Sequence, residues 1–298
     1  MSDNTIDPAT QSLVAHRNLL FTVAYEMLGS ATDAEDVLQE AWLRWMKVDR
    51  EQVRDDRAFL VRVTTRLALD RLRTMKRRKE SYVGPWLPEP LLTAPDVADD
   101  VELAESVSMA IMMVLETLSP TERAVFVLRE AFGFEYDEIA AAVDKTPAAV
   151  RQIASRARRH VEARRPRASV TRAEAQAVAE SFRQALTTGD FRSLLDVLAP
   201  DVVLVTDGGG LKRAALHPIV GAERVIRYVS GGVGKSGTAL SGDLTVVNGN
   251  PAILLQVDGV VDGVLALRVE HSRVAGMYYV RNPEKLTRVG TETPLIRS

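Results

Sequence analysis

Residues 118–163 read LSPTERAVFVLREAFGFEYDEIAAAVDKTPAAVRQIASRARRHVEA, and the reading of this stretch decides the fold class. Ser119-Pro120-Thr121-Glu122 opens a helix with three start signals: a serine cap, a proline in the first turn, and a glutamate spaced to close a capping box. Ala124, Val125 and Leu128 carry this helix toward Gly133. Tyr136 to Val143 is a short helix with Ile139 and Val143 on its inner face. Asp144-Lys145-Thr146 is a tight turn, in which Thr146 caps and Pro147 opens a longer helix with Val150, Ile153, Ala154, Ala157 and Val161 as its inner stripe. A short helix, a tight turn and a longer helix make a helix-turn-helix. The second helix of such a motif lies in the major groove with its N-terminal residues on base edges. Here the outward residues are Ala148, Ala149, Arg151, Gln152, Ser155 and Arg156, and arginine can read guanine as glutamine can read adenine. Arg158, Arg159, Arg164, Arg165 and Arg167 extend positive charge toward phosphates. A plain helical hairpin with a basic surface is the alternative; caps, turn length, stripe and outward arginines together favour the DNA reader.

Upstream, residues 11–79 also read as helices, and residues 80–100 form a linker carrying Pro and Asp. An apolar helix runs from Leu13 to Leu28. Thr32 and Glu35 have capping-box spacing for the next one, whose stripe is Ala34, Val37, Leu38, Ala41 and Trp45. Asp36, Gln39, Glu40 and Arg44 lie off that stripe. A third helix, about Asp56 to Lys76, turns Phe59, Val63 and Leu67 inward and sets Arg62, Arg66 and Arg73 on one side. Between Arg57 and Lys79 the only acid is Asp70, while six of the nine residues from Arg71 to Lys79 are basic. A solvated face usually mixes signs, so this one suits phosphate neutralisation.

Downstream, the second helical part spans 101–166 and the character changes over 170–290. Helical patterns at Thr171–Leu186 and Phe191–Leu198 precede a strand at Asp201–Thr206, a short helix at Gly221–Val229, and strands near Leu244–Val247, Ala252–Val257, Val264–His271 and Met277–Arg281. Helices followed by a curved antiparallel sheet make an α+β domain.

The totals exclude several classes. With 298 residues and 46% apolar content there is material for two or three cores. The net charge of −2 sets up no bulk positive field, so any nucleic-acid case rests on local clusters. The absence of cysteine removes disulfides, thiolate metal sites and cysteine nucleophiles. His16, His160, His217 and His271 form no zinc-helix pair, and no metal or cofactor is implied. No signal peptide opens the sequence and no apolar run reaches membrane-spanning length, which points to a soluble cytoplasmic protein without a membrane partner. Gly234-Lys235-Ser236 looks like the end of a phosphate loop, but the first glycine of that pattern falls on Val229.

The helical parts carry a family resemblance. DAEDVLQEAWLRWM (33–46) resembles the polymerase-binding helix of sigma region two, AFLVRVTTRLALDRLRTMKRR (58–78) the promoter-melting and minus-ten-reading helix after it, and 118–163 sigma region four, which reads the minus-thirty-five element. Their order, with a short linker and no region three, resembles the extracytoplasmic-function bacterial sigma factors. The resemblance implies core RNA polymerase and promoter DNA as partners. It implies polymerase binding by Asp36, Gln39, Glu40 and Arg44, minus-ten contacts by Arg62, Arg66, Arg71 and Arg73, and minus-thirty-five contacts by Thr146, Ala148, Arg151, Gln152, Ser155, Arg156, Arg158 and Arg159. The other reading, a two-component-type regulator, would need a receiver-like α/β domain, which the helical N-terminal half does not show.

WLPEP (86–90), DGGG (207–210) and NPEKL (282–286) narrow the resemblance to sigma factors with a fused SnoaL-like domain, of the cone-shaped nuclear-transport-factor-2 type. In that group the extension is implied to regulate the sigma core in cis. Leu211 intervenes before Lys212, where the family pattern has its basic residue directly after the glycines. Trp86 and Leu87 would be costly apolar surface on a free linker stiffened by Pro85, Pro88 and Pro90. The expectation is that Trp86, Leu87 and Pro88 dock against Asp207, Gly208, Gly209, Gly210 and Lys212 and against Asn282, Pro283, Lys285 and Leu286. Asp207, His217, Asp262, Tyr278 and Tyr279 are acid–base groups for an enzyme reading, but nothing in the sequence makes any two converge, so no catalytic site is expected. A small apolar ligand inside the cone is the further expectation.

Overall fold

The computed structural model describes residues 8–94, 100–165, 170–233 and 240–297. Arg167 and the Gly234-Lys235-Ser236 loop lie outside the described residues. The chain divides into two units: one holds the residues through Glu80, Val114–Arg164 and those from Pro294 on, the other Ser81–Met113 and Arg165–Thr293.

In the first unit, α1 (Pro8–Leu28), α2 (Ala31–Trp45) and α3 (Asp56–Glu80) pack against one another. The α2 stripe Ala34, Val37, Leu38, Ala41 and Trp45 is buried, as helical spacing requires, and Trp45 meets Phe59 with ring centroids 5.4 Å apart. The cap of α2 is Ser30, whose extended backbone lets its hydroxyl accept from Asp33 N at 3.1 Å; the helix thus starts one residue before the Thr32 cap that the spacing suggested. The Ser119–Glu122 capping box forms at α6 (Pro120–Phe126), and the chain then runs through a π-helical segment, Val127–Ala131. Nothing in VLREA departs from ordinary helix formers, so composition carries no sign of that widened turn. The turn Asp144–Thr146 joins α7 (Tyr136–Val143) to α8 (Pro147–Glu162): Asp144 takes the left-handed conformation, and Thr146 accepts from Ala149 N at 3.2 Å.

The second unit contains α4 (Val101–Ser106), the first part of α5 (Met109–Leu115), α9 (Arg172–Thr188), α10 (Ser193–Val197) and α11 (Ala222–Val233). Its six-stranded sheet has the order β2-β1-β6-β5-β4-β3, with β1 (Leu198–Asp207), β2 (Ile219–Val220), β3 (Leu240–Val247), β4 (Asn250–Val257), β5 (Val260–Glu270) and β6 (Arg273–Val280). The sheet is mixed where an antiparallel one was expected. Strands β3 to β6 form a meander, and β1, arriving from the helices, lies parallel to the last of them. One face buries Leu204, Ile253, Leu255, Leu265 and Leu267 against Phe182 and Leu186 of α9 and Val225 of α11. The other buries Val205, Val247, Ala252, Val264, Ala266 and Val280 against Leu87 and Met109. A sheet covered on both faces needs consecutive apolar residues, which is how Ala252–Leu255 and Val264–Leu267 read. Residues 101–113, grouped from sequence with the second helical part, therefore supply the cover of this sheet.

Candidate functional site

The three short motifs converge on one buried carboxylate. Asp207, at the end of β1, is wholly buried. Its Oδ1 accepts from the Tyr82 hydroxyl at 2.6 Å and from Gly209 N at 3.1 Å; its Oδ2 accepts from Leu87 N at 2.9 Å and from Lys285 Nζ at 2.8 Å. Lys285, 5% exposed, also donates to Leu87 O at 2.6 Å and lies 3.4 Å from the centroid of the Trp86 ring. Asn282 donates to the Tyr82 hydroxyl at 2.8 Å and caps the turn that positions Lys285 by accepting from Glu284 N. Gly209 cannot carry a side chain here: its φ is +60°, and a Cβ would stand 2.3 Å from Asn282 Nδ2. Burial, then the bond to Asp207, pushes the Tyr82 hydroxyl well above its usual range, so it remains a donor. Leu87 and Pro88 are buried, and Leu286 packs beside Leu87. Lys212 stands apart, pairing with Asp262 at 3.3 Å with its side chain 43% exposed.

A second contact holds the same linker. Asn248, buried in the β3–β4 turn, donates from its backbone to Leu91 O and accepts Leu91 N on its side chain, both at 2.9 Å. Its Nδ2 donates to Val107 O at 2.8 Å, and Asn250 Nδ2 to Ala104 O at 3.2 Å. Gly249 has φ +70°, and a Cβ there would lie 2.6 Å from Ala104 Cα. The Asn-Gly pair thus makes a tight hairpin turn whose outer edge binds linker backbone. Sequence reasoning missed Tyr82 and Asn248. The only available signals were an aromatic residue four positions before Trp86 and a polar pair inside an apolar hairpin.

In the helical unit, Asp36, Gln39, Glu40 and Arg44 are exposed on α2, with Glu40 and Arg44 paired at 2.6 Å. Leu43 and Met46, also exposed, extend that face with apolar surface. The four basic candidates on α3 are differently engaged. Arg71 bridges Asp33 and Asp36 at 2.6 and 2.7 Å, Arg73 pairs with Asp70 at 2.6 Å, Arg66 donates to Ala141 O at 2.9 Å, and Arg62 lies over the Phe59 ring. On the helix-turn-helix, Thr146, Ala148, Arg151, Gln152, Ser155, Arg156, Arg158 and Arg159 are all exposed, with Arg158 paired to Glu130 at 2.6 Å.

One ion pair, Lys79 with Glu116, ties α3 to the second helical part, and Arg123 joins the same carboxylate to α1. Arg123, 2% exposed, donates twice to Glu26 O and once to Glu116, which also binds Lys79. Burial works to raise the Glu116 carboxyl, but Arg123 and Lys79 hold it down to about 2 from its ordinary 4.5. The stabilisation this gives is complete above about pH 4.5 and lost as pH falls toward 2. Glu116→Gln should therefore flatten the acid limb of the helical unit's stability curve by about 2 kcal/mol between pH 7 and 3, read by urea unfolding. An acid limb identical to that of the unsubstituted chain would sink the assignment.

Of the acid–base groups in the C-terminal domain, Asp262 and Tyr279 meet at 2.6 Å, but Arg281 and Lys212 also bind Asp262. Burial favours protonation of Asp262, yet these partners keep its pKa below the usual carboxylate range. Such a group is a satisfied ion pair with no proton to exchange near neutrality. Asp207 points to the linker instead. The sheet face expected to enclose an apolar ligand packs a core around Phe182, and a cavity of about 230 Å³ lies on the opposite face, beside Met109, Val247 and Arg268. Among the described residues, no group of three or more His, Asp or Glu is placed to hold a metal ion, and no helix is long and apolar enough to cross a membrane.

Two known families match: Sigma-70 region 2 over residues 13–78 and Sigma-70, region 4 over residues 108–161. The ECF RNA polymerase sigma factor SigJ of Mycobacterium tuberculosis is 37% identical over 286 residues, 92% of this chain and 91% of its own length. The probable ECF RNA polymerase sigma factor SigI of the same organism is 34% identical over 283 residues, 94% of this chain and 95% of its own. The crystal structure of the M. tuberculosis extracytoplasmic function sigma factor SigJ aligns with a TM-score of 0.75 at 34% identity, over 96% of this chain and all of that one.

Proposed function

This chain belongs to the extracytoplasmic-function RNA polymerase sigma factors, and on that premise we propose that its promoter-specific initiation is modulated in cis by the C-terminal cone domain through the linker. The observation that carries this reading is the buried Lys285–Asp207 pair, which closes on both backbone groups of Leu87. Any movement of residues 82–91 away from the sheet must break both Leu87 bonds to that pair, so docking of the linker and the environment of the pair are coupled. The protein acts in the cytoplasm, where its polymerase is. Asp36, Gln39, Glu40 and Arg44, with Leu43 beside them, form the polymerase face. Arg71 holds α2 to α3 through Asp33 and Asp36, so its first role is to position that face. Phosphates of the minus-ten element fall to Arg62, Arg66 and Arg73.

At the minus-thirty-five element, Arg151 and Arg156 carry base and phosphate contacts from the exposed front of α8. Replacing each with alanine should weaken promoter binding by about 1–3 kcal/mol. Transcription with added core polymerase, from promoters differing at single minus-thirty-five positions, reads the effect. Loss of discrimination at one position by Arg151→Ala supports base reading. A uniform loss across promoters with a shallower salt dependence makes it a phosphate contact, and unchanged transcription removes α8 as the reader. Failure of the intact chain to initiate with core polymerase would overturn the whole reading.

A further inference from the structure

Residues 295–297 are far in sequence from everything they touch in the helical unit. Leu295 is 3% exposed. Ile296 N donates to the Thr22 hydroxyl of α1 at 3.1 Å, and Arg297 Nε donates to Ala131 O at 2.9 Å, at the close of the π-helical segment. Thr22 lies in the region-two match and Ala131 in the region-four match. A helix end leaves carbonyls without intrahelical partners and favours a nearby cation, so Arg297 sits where a guanidinium is stabilising.

The two regions that these residues bridge are already in contact. Arg123 of α6 reaches Glu26 O at the end of α1, Arg66 of α3 reaches Ala141 O of α7, and Arg57 covers the Phe134 ring at 4.8 Å. A promoter's minus-ten and minus-thirty-five elements lie roughly 25 base pairs apart, about 85 Å at the rise of duplex DNA. One packed unit cannot hold both, and Arg66, a minus-ten candidate, is engaged by region four while the unit is closed.

We propose that Leu295–Arg297 is an intramolecular clasp that holds region two against region four and must let go before the promoter is engaged. It deepens the regulatory reading above and rests on it. Thr293, two residues before the clasp, donates to Leu92 O at 2.7 Å and bridges to Thr93. Linker docking and clasp closure therefore lie on one continuous stretch of chain. Release of the linker removes the anchor that holds the clasp in register.

The sequence has no cysteine, so Gln11→Cys with Glu162→Cys, both exposed positions in the helical unit, gives a uniquely labelled pair for distance measurement by pulsed electron resonance. Three forms are compared: the full chain, a chain stopping after Thr293, and Arg297→Gln. The shortened chain should gain a longer-distance population, and its core-dependent transcripts at limiting protein should rise about ten-fold, Arg297→Gln following in the same direction by less. If the shortened chain no longer melts cooperatively, Arg297→Gln decides. Distance distributions unchanged in both variants overturn the clasp. Transcripts absent from all three forms, with distances shifted as expected, overturn the sigma reading and leave the clasp standing.

Discussion

Replacing Lys285 with methionine should cost the C-terminal unit roughly 3–5 kcal/mol, because the Asp207 carboxylate would then be buried without its cation. Methionine keeps most of the volume beside Trp86, so a cavity is a minor part of the loss. Tyr82, Leu87 and Gly209 still donate to Asp207, but neutral donors stabilise a wholly buried charge less than an ammonium at 2.8 Å does. Hydrogen exchange should show the loss locally as faster exchange of the amides of residues 82–91, Leu87 N above all, since its acceptor is the stranded carboxylate. Lys212→Met is the control. Its pair with Asp262 is 3.3 Å long and 43% exposed on the lysine side, so less than about 1 kcal/mol should go. Combining Lys285→Met with Asp207→Leu should recover part of the single-variant loss, because the uncompensated charge is gone. Equal effects of Lys285→Met and Lys212→Met would mean that the buried pair is not what fastens the linker.

That contrast also marks how far the sequence could be read. The motifs WLPEP, DGGG and NPEKL are short and carry distinctive residues: a tryptophan on a proline-stiffened linker, three glycines, a lysine two residues after a proline. Their convergence was legible because each would be unfavourable alone. Which basic residue makes the contact was not legible, since Lys285 lies inside one motif and Lys212 just after another, and burial is what separates them. Tyr82 and Asn248 were hidden for a related reason. A polar side chain whose whole task is to pair with a segment 120 or more positions away, Tyr82 with a carboxylate and Asn248 with backbone, leaves no periodic trace.

The helical elements were legible through their ends. Caps at Ser119 and Thr146, prolines at 120 and 147 and the stripe of α8 are local, and local signals survive folding. Ser30, the π-helical turn at 127–131 and the parallel placement of β1 are settled by what the neighbouring chain does. The doubly covered sheet did leave a sign: the apolar runs Ala252–Leu255 and Val264–Leu267 do not alternate, as a sheet with one wet face would. Read on its own, that sign demands a second cover. Among the described residues, the linker, Met109 and Met113, with Leu286 and Val289, supply that cover.

Residues 170–293 produced without residues 81–113 should therefore fail to stay monomeric. Removing that segment uncovers Val205, Val247, Ala252, Val264, Ala266 and Val280 as one contiguous apolar face, which soluble monomers do not tolerate at that size. It also frees the backbone of Val246 and the Asn248 turn, which Thr93 and Leu91 now occupy, at the open side of edge strand β3. A single chain in which residues 81–113 are joined ahead of 170–293 should instead be monomeric and melt cooperatively, and sedimentation of the two forms distinguishes them. The same reasoning changes what a chain ending at residue 167 will do. It keeps Leu87, Leu91 and Met109 but loses the face that buries them, so apolar surface appears in the segment that leads into region four. Such a chain should initiate less well than the intact protein, whatever the clasp does, because the loss is of folding and not of restraint. A chain stopped after Thr293 keeps the sheet covered and removes only the clasp, and it should initiate better. Opposite signs from two truncations of one domain are what separate a cover that the linker needs from a restraint that the promoter must overcome; the same sign from both would show that the domain has only one of these roles.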